Sequence, residues 1–436
     1  MKFQRYEKYK SSGVDWLGEV PEGWEGYRIN WINTIIRGNS SFKKDELLEN
    51  GEYIALQYGK TYKVDEINET FNFYVNSEFY KPEQVVHHGN IILVSTSETI
   101  EDLGHTCFYD RKDLGLIGGE QILLKPKSKF IFEKYLYYYS KAFCKELRKY
   151  STGLKVFRFN IDDLKKIYIP IPNKKTQTFI ANYLDKHTSF IDQKIELLKA
   201  KKQSYTQLKQ TLINEVVTKG LDTTVEMKDS GIEWIGQIPK HWEVKRFKEI
   251  CYKNQTGGTP STTKSEMFLG DNVWVTIADI SNDKFVSDSK LKLTDEATKE
   301  ANIPITPKNS LIYSFKLTLG KIAFAKNDLY TNEALISILP NRKIDLNYFY
   351  YMLPKFLLLN ATENIYGAKM LNQRLIANAL LIAPPKLEQI AIANYLDEKT
   401  SKIDKIIQTI DKSILVLQEY RKTLINDVVT GKVKII

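Results

Sequence analysis

Three short motifs in the chain have the residue types of a metal-dependent nuclease. Such enzymes place clustered carboxylates ahead of an Asp/Glu-x-Lys triplet, and the carboxylates bind the Mg²⁺ that assists phosphodiester cleavage. Triplets of this form are Asp163-Leu164-Lys165, Asp288-Ser289-Lys290 and Asp397-Glu398-Lys399. The chain contains 63 lysine and arginine residues and 53 aspartate and glutamate residues, so such triplets are expected by chance. They are therefore weak evidence for a nuclease.

An amino-methyltransferase would need Asn or Asp, two prolines and an aromatic residue in sequence. The nearest segment, Ala383-Pro384-Pro385-Lys386, has neither flanking residue, and no Gly-rich adenosylmethionine loop follows a predicted strand. The segment 257–265 is the nearest to a phosphate-binding P-loop but lacks the glycine required before its lysine. His87, His88 and His105 have no cysteine or carboxylate partner at metal-ligand spacing. The sequence thus predicts no catalytic residues, metal site or cofactor in this chain, with a stand-alone nuclease or methyltransferase as the alternative.

Several loops combine lysine with hydroxyl or amide side chains beside glycine, which is chemistry suited to DNA. Cationic side chains contact phosphates, whereas hydroxyl and amide groups hydrogen-bond to base edges. These loops lie at 38–41, 57–60, 95–97 and 153–155 in the first half, and at 257–261, 274–280, 314–321 and 367–369 in the second. The candidate DNA-binding residues are Tyr58, Lys60, Lys155, Arg158, Thr259, Ser261, Lys316, Lys321 and Lys369.

The overall charge also favours a polyanionic partner. The 436-residue chain carries a net charge of +10 and has a pI near 9.0. Its three cysteines are scattered and form no C-x-x-C pair, so neither a disulfide framework nor a zinc ribbon is indicated. The N-terminus lacks a signal-peptide core, and no run approaches the ~18 apolar residues that cross a bilayer. We therefore expect a cytoplasmic protein with no membrane partner.

The chain is an internal duplication. The repeated segments are 12–25 with 230–243, 180–185 with 392–397, and 211–218 with 423–430. The second pair is identical, the third differs at one position, and both pairs share the same offset along the chain. Between the repeated segments lie the stretches 25–155 and 243–370, which have diverged strongly. Alike scaffolds with unlike middles indicate a fused pseudo-dimer whose two middles perform one task on different targets.

Each copy ends in a helical tail with an apolar period of seven. The residues of this stripe are Leu184, Ile191, Leu198, Tyr205 and Leu212 in the first copy, and Leu396, Ile403, Ile410, Leu417 and Leu424 in the second. Sustained heptads predict two long helices that pack as a parallel or antiparallel coiled coil. The opposite face is predicted to be solvated, and its lysines are Lys194, Lys199, Lys201, Lys202 and Lys209.

The ends of these helices are predicted from capping residues. The S-x-x-D sequences at 189–192 and 401–404 fit a capping box, which predicts that each long helix starts there, after a separate short helix. Gly220 and Gly431 are suited to C-caps. The stretch 190–218 would then form a rod of roughly 43 Å.

The two middles alternate short β-branched and aromatic runs with Gly, Asn and Asp turns. Each also contains an aromatic helical patch, at 135–139 and 348–352, which predicts buried core. The predicted fold is α/β (α+β), with two recognition domains separated by two long paired helices and a pseudo-twofold symmetry. The predicted segments are 1–24 (conserved N-terminal segment), 25–172 (first domain), 173–220 (central helical spacer), 221–242 (repeat of the N-terminal segment), 243–385 (second domain) and 386–436 (C-terminal helical spacer).

Across residues 12–436 the chain resembles the specificity subunit of Type I restriction–modification enzymes. The resemblance rests on the twofold S-G-x-x-W-x-G-x-x-P-x-x-W block, the G-G-T-P-S loop, and the I-A-N-Y-L-D and T-L-I-N-x-V-V-T tails of both halves. It implies that each middle is a target-recognition domain that binds one half of a split DNA sequence through the major groove. The helices would separate the domains and bind two modification subunits.

The resemblance further implies the partners. Modification subunits would methylate adenine with S-adenosylmethionine, and restriction subunits would translocate and cleave double-stranded DNA with ATP and Mg²⁺. These cofactors would bind to the partner subunits and not to this chain, in a bacterial cytoplasm. An orphan DNA-binding or decoy protein of the same fold is the remaining alternative.

Overall fold

The computed structural model describes residues 4–153, 155–363 and 367–435. The chain folds into two compact units. The first unit comprises Met1–Lys199 and Asp411–Ile436, and the second comprises Ala200–Ile410. The first unit thus joins the two ends of the chain, where the Lys434 amide donates to the Gln4 carbonyl at 2.8 Å.

The first unit contains a five-stranded sheet of order β4-β13-β9-β11-β6 and a four-stranded sheet of order β7-β5-β12-β8. Its strands are β1 (Tyr9–Ser11), β2 (Glu19–Pro21), β3 (Glu25–Arg28), β4 (Asn33–Arg37), β5 (Tyr53–Leu56), β6 (Glu66–Ile67), β7 (Tyr74–Val75), β8 (Val85–Val86), β9 (Ile91–Val94), β10 (Thr96–Ser97), β11 (Thr106–Tyr109), β12 (Gly115–Ile117), β13 (Gln121–Pro126), β14 (Phe157–Arg158) and β15 (Tyr168–Ile171). Its helices are α1 (Ile29–Ile32), α2 (Tyr58–Thr61), α3 (Glu133–Leu147), α4 (Ile161–Lys166) and the first part of α5 (Lys174–Lys219).

The second unit contains a five-stranded sheet of order β19-β26-β23-β24-β21 and a three-stranded sheet of order β22-β20-β25. Its strands are β16 (Met227–Asp229), β17 (Gln237–Pro239), β18 (Glu243–Arg246), β19 (Asn254–Thr256), β20 (Asn272–Val275), β21 (Phe285–Val286), β22 (Lys292–Leu293), β23 (Leu311–Ser314), β24 (Ile322–Ala325), β25 (Tyr330–Thr331), β26 (Leu335–Ile338), β27 (Thr362–Glu363), β28 (Lys369–Met370) and β29 (Leu380–Ala383). Its helices are α6 (Phe247–Ile250), α7 (Asp295–Glu300), α8 (Leu346–Leu359), α9 (Gln373–Asn378) and the first part of α10 (Lys386–Val429).

The two five-stranded sheets have the same strand order and the same directions. In each sheet the first four strands are antiparallel to one another in sequence across the sheet. Only the last strand, β6 or β21, pairs in parallel with its neighbour. The mixed helix and strand content and the duplicated topology confirm the predicted fold class. The duplication therefore includes the middles, whose sequences no longer show it.

The aromatic patches form the core, as predicted. Tyr135, Leu136 and Tyr139 on α3 are each 0% exposed, as are Tyr348 and Phe349 on α8. Each helix packs on one face of its five-stranded sheet, α3 against Ile91 and Leu93 of β9 and α8 against Leu311 and Tyr313 of β23. All residues of these two strands are buried, so each strand is covered on both faces.

Each helical tail is one continuous helix, so the predicted break at the S-x-x-D sequences is wrong. Helix α5 extends over 46 residues and α10 over 44, which makes α5 about 69 Å long instead of 43 Å. The start of α5 is instead capped by Asn173, whose side-chain oxygen accepts from the Thr176 amide at 3.0 Å. Gly220, with φ +80°, ends α5 as predicted.

The physical reason for the continuous helix lies in the hydroxyls beside the apparent caps. Thr188 donates its hydroxyl to the Leu184 carbonyl at 2.8 Å, and Thr400 does the same to Leu396 at 2.7 Å. A hydroxyl that bonds to the carbonyl four residues earlier is accommodated within a helix and does not stop it.

The two helices are antiparallel within each unit. In the first unit, the Arg421 guanidinium of α10 pairs with Asp192 of α5 at 2.9 Å. In the second unit, the Lys209 ammonium of α5 pairs with Asp404 of α10 at 2.7 Å. The members of these pairs occupy equivalent positions in the two repeats, so one contact is present twice. The prediction that Lys209 lies on a solvated face is wrong, because this pair holds it against α10.

The predicted heptad residues lie on the paired faces of α5 and α10. Leu184, Leu396, Ile410 and Leu424 are less than 5% exposed, and the other six are buried or half-buried. None of the helices among the described residues has both the length and the apolar character needed to span a bilayer.

Candidate nucleic-acid interface

The strand directions gather three of the four predicted loops of the second unit at one sheet edge, and the loop 367–369 is not among them. Strands β19 and β23 end there, and β24 and β26 begin there. We call the loops 257–261, 276–280, 315–320 and 332–334 the second loop edge. Backbone hydrogen bonds join them, since the Phe315 amide donates to the Ala334 carbonyl at 3.0 Å and the Asn332 amide to Val275 at 3.1 Å.

The same strand directions produce an equivalent edge in the first unit. There β4 and β9 end while β11 and β13 begin, and β10 pairs with β14 alongside them. We call the loops 38–44, 57–63, 95–104 and 118–120, with β14, the first loop edge. Each sheet therefore presents its connecting loops on one side, where loops commonly carry binding residues.

Tyr58 and Lys60 line a cleft of about 430 Å³ in the first loop edge. Its other residues include Lys44, Lys63, Tyr62, Ser97, Thr99, Glu98 and Asp102. Tyr58 stacks on Tyr62 with ring centroids 5.7 Å apart, and the Lys60 ammonium lies 4.2 Å from the centre of the Phe73 ring. Burial raises the pKa of the Tyr58 phenol above its ordinary value. The cleft combines cations, stacked rings and hydroxyls, which suit phosphate and base contacts.

Arg158 lies on β14 and so belongs to the first loop edge, where Glu120 is its acidic neighbour. Glu120 accepts a hydrogen bond from Thr96 and lies 3.9 Å from the Arg158 guanidinium. Glu120 adopts φ +61°, which is uncommon for a residue other than glycine. Arg158 is 61% exposed, and Lys155 precedes it on an exposed bend.

In the second loop edge Thr259 is bound internally. Its hydroxyl donates to Glu333, which comes shortly before the central strand β26 as Glu120 comes before β13. Gly257 lies two residues before Thr259, and a Cβ at position 257 would lie 1.7 Å from the Thr331 carbonyl oxygen. Gly38, the first-unit counterpart, meets the Gly118 carbonyl in the same way at 1.9 Å. These glycines are thus required by the close approach of two backbones.

The two predicted lysines of the 314–321 loop have different environments. Lys321 donates its ammonium to the carbonyls of Ile277 and Ile280 at 2.9 and 2.8 Å, which fastens two loops of the edge together. Lys316 is exposed, and its ammonium lies 5.9 Å from the Phe315 ring. The geometry leaves Lys316 better placed than Lys321 to contact a phosphate.

Ser261 and Lys369 are exposed farther along the same unit. The Ser261 hydroxyl hydrogen-bonds to Thr263 at 2.8 Å, and Lys369 lies on the β27–β28 hairpin. The chain after this hairpin contacts the end of β19, since Gln373 donates to the Thr256 hydroxyl at 2.9 Å. The roles of all nine candidate residues in DNA binding stay predictions.

A half-buried ionic network lies behind the first loop edge. Asp65 accepts from Lys141 at 2.7 Å and from Arg421 at 3.0 Å. Burial alone would raise the pKa of Asp65, but these two cations outweigh it and lower the pKa to about 2. Burial also lowers the pKa of His105, whose ring nitrogen bonds to the Val64 carbonyl at 2.7 Å. In the described part of the chain, no cluster of three or more His, Cys, Asp or Glu side chains could hold a metal ion.

Sequence reasoning missed Glu120, Glu333 and the Asp65 network. The two glutamates could have been found by aligning the two halves, because each comes just before an apolar central strand. The Asp65 network joins residues 356 positions apart and has no local signal.

Comparison with known proteins agrees with this duplicated architecture. The family model for the Type I restriction modification DNA specificity domain matches the chain twice, at residues 21–205 and 239–415. The putative type I restriction enzyme MjaX specificity subunit of Methanocaldococcus jannaschii is 26% identical over 100% of this chain and 99% of its own length. The EcoKI specificity subunit of Escherichia coli is 20% identical over 91% of this chain and 86% of its own.

Solved structures have the same fold. One, described as the structural basis of complex assembly and conformational transition of the type I R-M system, has a TM-score of 0.71 at 13% identity and covers 94% of this chain and 98% of that one. The HsdS subunit from Thermoanaerobacter tengcongensis has a TM-score of 0.53 at 15% identity, with the same two coverages.

Proposed function

Since this chain belongs to the family of Type I restriction–modification DNA specificity subunits, with two recognition domains, we propose that each of its loop edges binds one half of a split DNA target. The observation that carries the proposal is the pairing of equivalent edges with unlike side chains. The first edge carries Tyr58, Lys60 and Arg158. The second carries Lys316 and Leu317. Two edges of one architecture and different chemistry are suited to two different half-sites.

The long helices are proposed to space the two domains and to bind partner subunits. Leucine and valine side chains on these helices remain largely exposed, although the heptad faces are buried. In the first unit these are Leu197, Leu415 and Val416, at 72%, 61% and 67% exposure, and in the second Leu208 and Leu387, at 52% and 82%. Exposed apolar side chains mark protein–protein interfaces where they lie together, as the sequence neighbours Leu415 and Val416 do.

We further propose that the partners are two modification subunits and the restriction subunits of a Type I enzyme. Adenosylmethionine, ATP and Mg²⁺ would then be bound by those partners, and this chain would supply sequence recognition alone. The family membership supports this division of labour, and neither the family match nor the described residues favour a stand-alone nuclease or methyltransferase.

Methylation assays on purified protein test this proposal. The chain alone, with adenosylmethionine, Mg²⁺ and DNA, should transfer no methyl groups. Addition of the modification subunits of the same restriction–modification system should produce adenine methylation at one bipartite sequence. Methyl transfer by the pure chain would overturn the non-catalytic assignment, and failure of the complete complex to methylate a defined sequence would favour the orphan or decoy alternative.

A further inference from the structure

An apolar side chain stands at the tip of the second loop edge. Leu317, in the connection between β23 and β24, is 95% exposed. It also adopts φ +56°, the left-handed region that side chains larger than Asn rarely occupy. Two unfavourable features, exposed apolar surface and backbone strain, therefore coincide at one residue. Strain of this kind persists where the surroundings impose it and is found at binding sites.

The surroundings do impose it. The Ser314 hydroxyl donates to the Thr318 carbonyl at 2.7 Å and accepts from the Lys321 amide at 2.9 Å, so it closes the base of the loop. Phe315 is 2% exposed beneath the loop. The loop thus buries the residue at 315 and turns the one at 317 outward.

The neighbouring residue indicates which ligand this tip meets. Lys316 is exposed beside Leu317, so the tip offers one cation and one apolar group side by side. On DNA these match a phosphate and the 5-methyl group of thymine, which is the apolar feature that distinguishes base edges in the major groove. The first loop edge differs at this place, since the exposed positions of the connection 95–104 carry Glu98, Thr99, Glu101 and Asp102, and its apolar residue Ile100 is half-buried.

We propose that Leu317 is a specificity-determining residue that contacts the methyl group of a thymine in the half-site bound by the second unit. This inference rests on the proposed function. It goes further by assigning one base type to one residue. Because uracil differs from thymine only by this methyl group, replacing single thymines by deoxyuridine probes the contact directly.

The test measures binding of the full specificity–modification complex to its own target and to scrambled DNA. Each thymine of the target is replaced in turn by deoxyuridine. We expect one replacement in the second half-site to weaken binding about fourfold, the effect of burying one methyl group. Leu317→Ala should weaken binding to the thymine target by a similar factor and should lose all sensitivity to that replacement.

Two further variants separate contact from folding. Leu317→Gly should raise the melting temperature, because glycine adopts φ +56° without strain, and should still lose the methyl preference. Leu269→Ala is the matched control, since Leu269 is 82% exposed but lies at the opposite end of β20. It should leave both affinity and methyl preference unchanged.

The outcomes distinguish this inference from the function on which it rests. If the wild-type complex does not prefer its target over scrambled DNA, the proposed function fails. If it does prefer the target but no thymine replacement matters, or Leu317→Ala keeps the same methyl sensitivity, the assignment of Leu317 alone is wrong.

Discussion

The phenol of Tyr138 donates a hydrogen bond of 2.7 Å to the carboxylate of Asp185. This bond links α3, the buried helix of the first recognition domain, to α5. Tyr351 and Asp397 repeat it in the second unit at 2.5 Å, between α8 and α10. A second tyrosine of each domain bonds to the end of the other long helix, Tyr135 to the Val429 carbonyl and Tyr348 to the Val217 carbonyl. The aromatic patches thus attach each recognition domain to both helices.

We predict that Tyr138→Phe and Tyr351→Phe each lower the free energy of unfolding by about 1.5–3 kcal/mol, the range for a hydrogen bond to a charged acceptor. Tyr139→Phe and Tyr313→Phe are matched controls. Their hydroxyls are buried and have no hydrogen-bond partner among the described residues, so removal should be neutral or stabilising. Denaturant unfolding measures all four variants, and equal losses in the tested and control variants would contradict the anchoring role.

The two equivalent cations between the long helices should differ in strength. Arg421 pairs with both Asp65 and Asp192, whereas Lys209 pairs with Asp404. We expect Arg421→Met to destabilise the protein by about 1 kcal/mol more than Lys209→Met, a modest difference because the Asp65 side chain is 39% exposed and solvent screens the pair.

The loss of stability caused by Arg421→Met should depend on pH, and the sign of that dependence is defined. The pKa of Asp65 is lowered to about 2 in the folded protein against an ordinary value of 3.8. The stability from its ionised form is therefore complete above about pH 4 and is lost as the pH falls toward 2. Unfolding experiments between pH 6 and pH 2 should show the gap between wild type and Arg421→Met shrinking over that interval. A gap independent of pH would show that Asp65 is not the relevant partner.

The two lysines of the second loop edge should have separable effects. Lys316→Ala should reduce the slope of log affinity against log salt by about 1, as expected for one lost phosphate contact, and should leave stability unchanged. Lys321→Ala should lower stability by about 1–3 kcal/mol, because its ammonium binds two carbonyls that would be left unpaired. Salt titrations of DNA binding and unfolding curves give both quantities, and a wild-type salt slope in Lys316→Ala would remove this residue from the interface.

The length of the helices is predicted to set the gap between half-sites. Seven residues inserted after Lys202, with seven after Ile414 at the equivalent position, extend both helices by ~10.5 Å while nearly keeping the heptad phase. The non-specific gap should grow by about 3 base pairs, with both half-sites unchanged. Insertion of four residues after Lys202 alone would rotate the apolar heptad stripe of α5 by about 40°. That insertion should either change the gap by one or two base pairs or abolish activity. An active seven-residue variant with the original gap would show that the helices do not determine it.

The fold was largely predictable because its signals are local or repeated. The heptads, the glycine at 220 and the aromatic helices all follow from spacing along the chain. The helix starts were not predictable in this way, because Thr188 and Thr400 bond to carbonyls of their own helix, and a sequence pattern does not distinguish this from a cap. The Arg421–Asp65 pair was also beyond prediction, since it depends on tertiary packing.

The loop edge was predictable as a set of loops, though less so residue by residue. Strand direction alone brings the Gly257, Ser314 and Ser95 loops to their edges. Whether a lysine there faces solvent or a carbonyl is decided by neighbours distant in sequence, as Lys316 and Lys321 show. Leu317 has no sequence signal, because its exposure and its positive φ are both consequences of the folded loop.

The central claim, that each unit recognises its own half-site, is tested most directly by a graft. Equivalent hydrogen bonds define its borders, since the Ile29 amide donates to Ile167 at 3.0 Å and the Phe247 amide to Ala379 at 2.8 Å. Residues 29–167 are replaced by a second copy of 247–379, which leaves the β3–β15 ribbon and the long helices intact. The reciprocal graft serves as the control.

Methylome sequencing of cells that carry each graft with the partner modification subunits gives the recognised sequence. We expect the modification complex that contains the first graft to methylate an inverted repeat of the second half-site, and the complex with the reciprocal graft to methylate an inverted repeat of the first. An active graft that retains the original bipartite motif would contradict the claim.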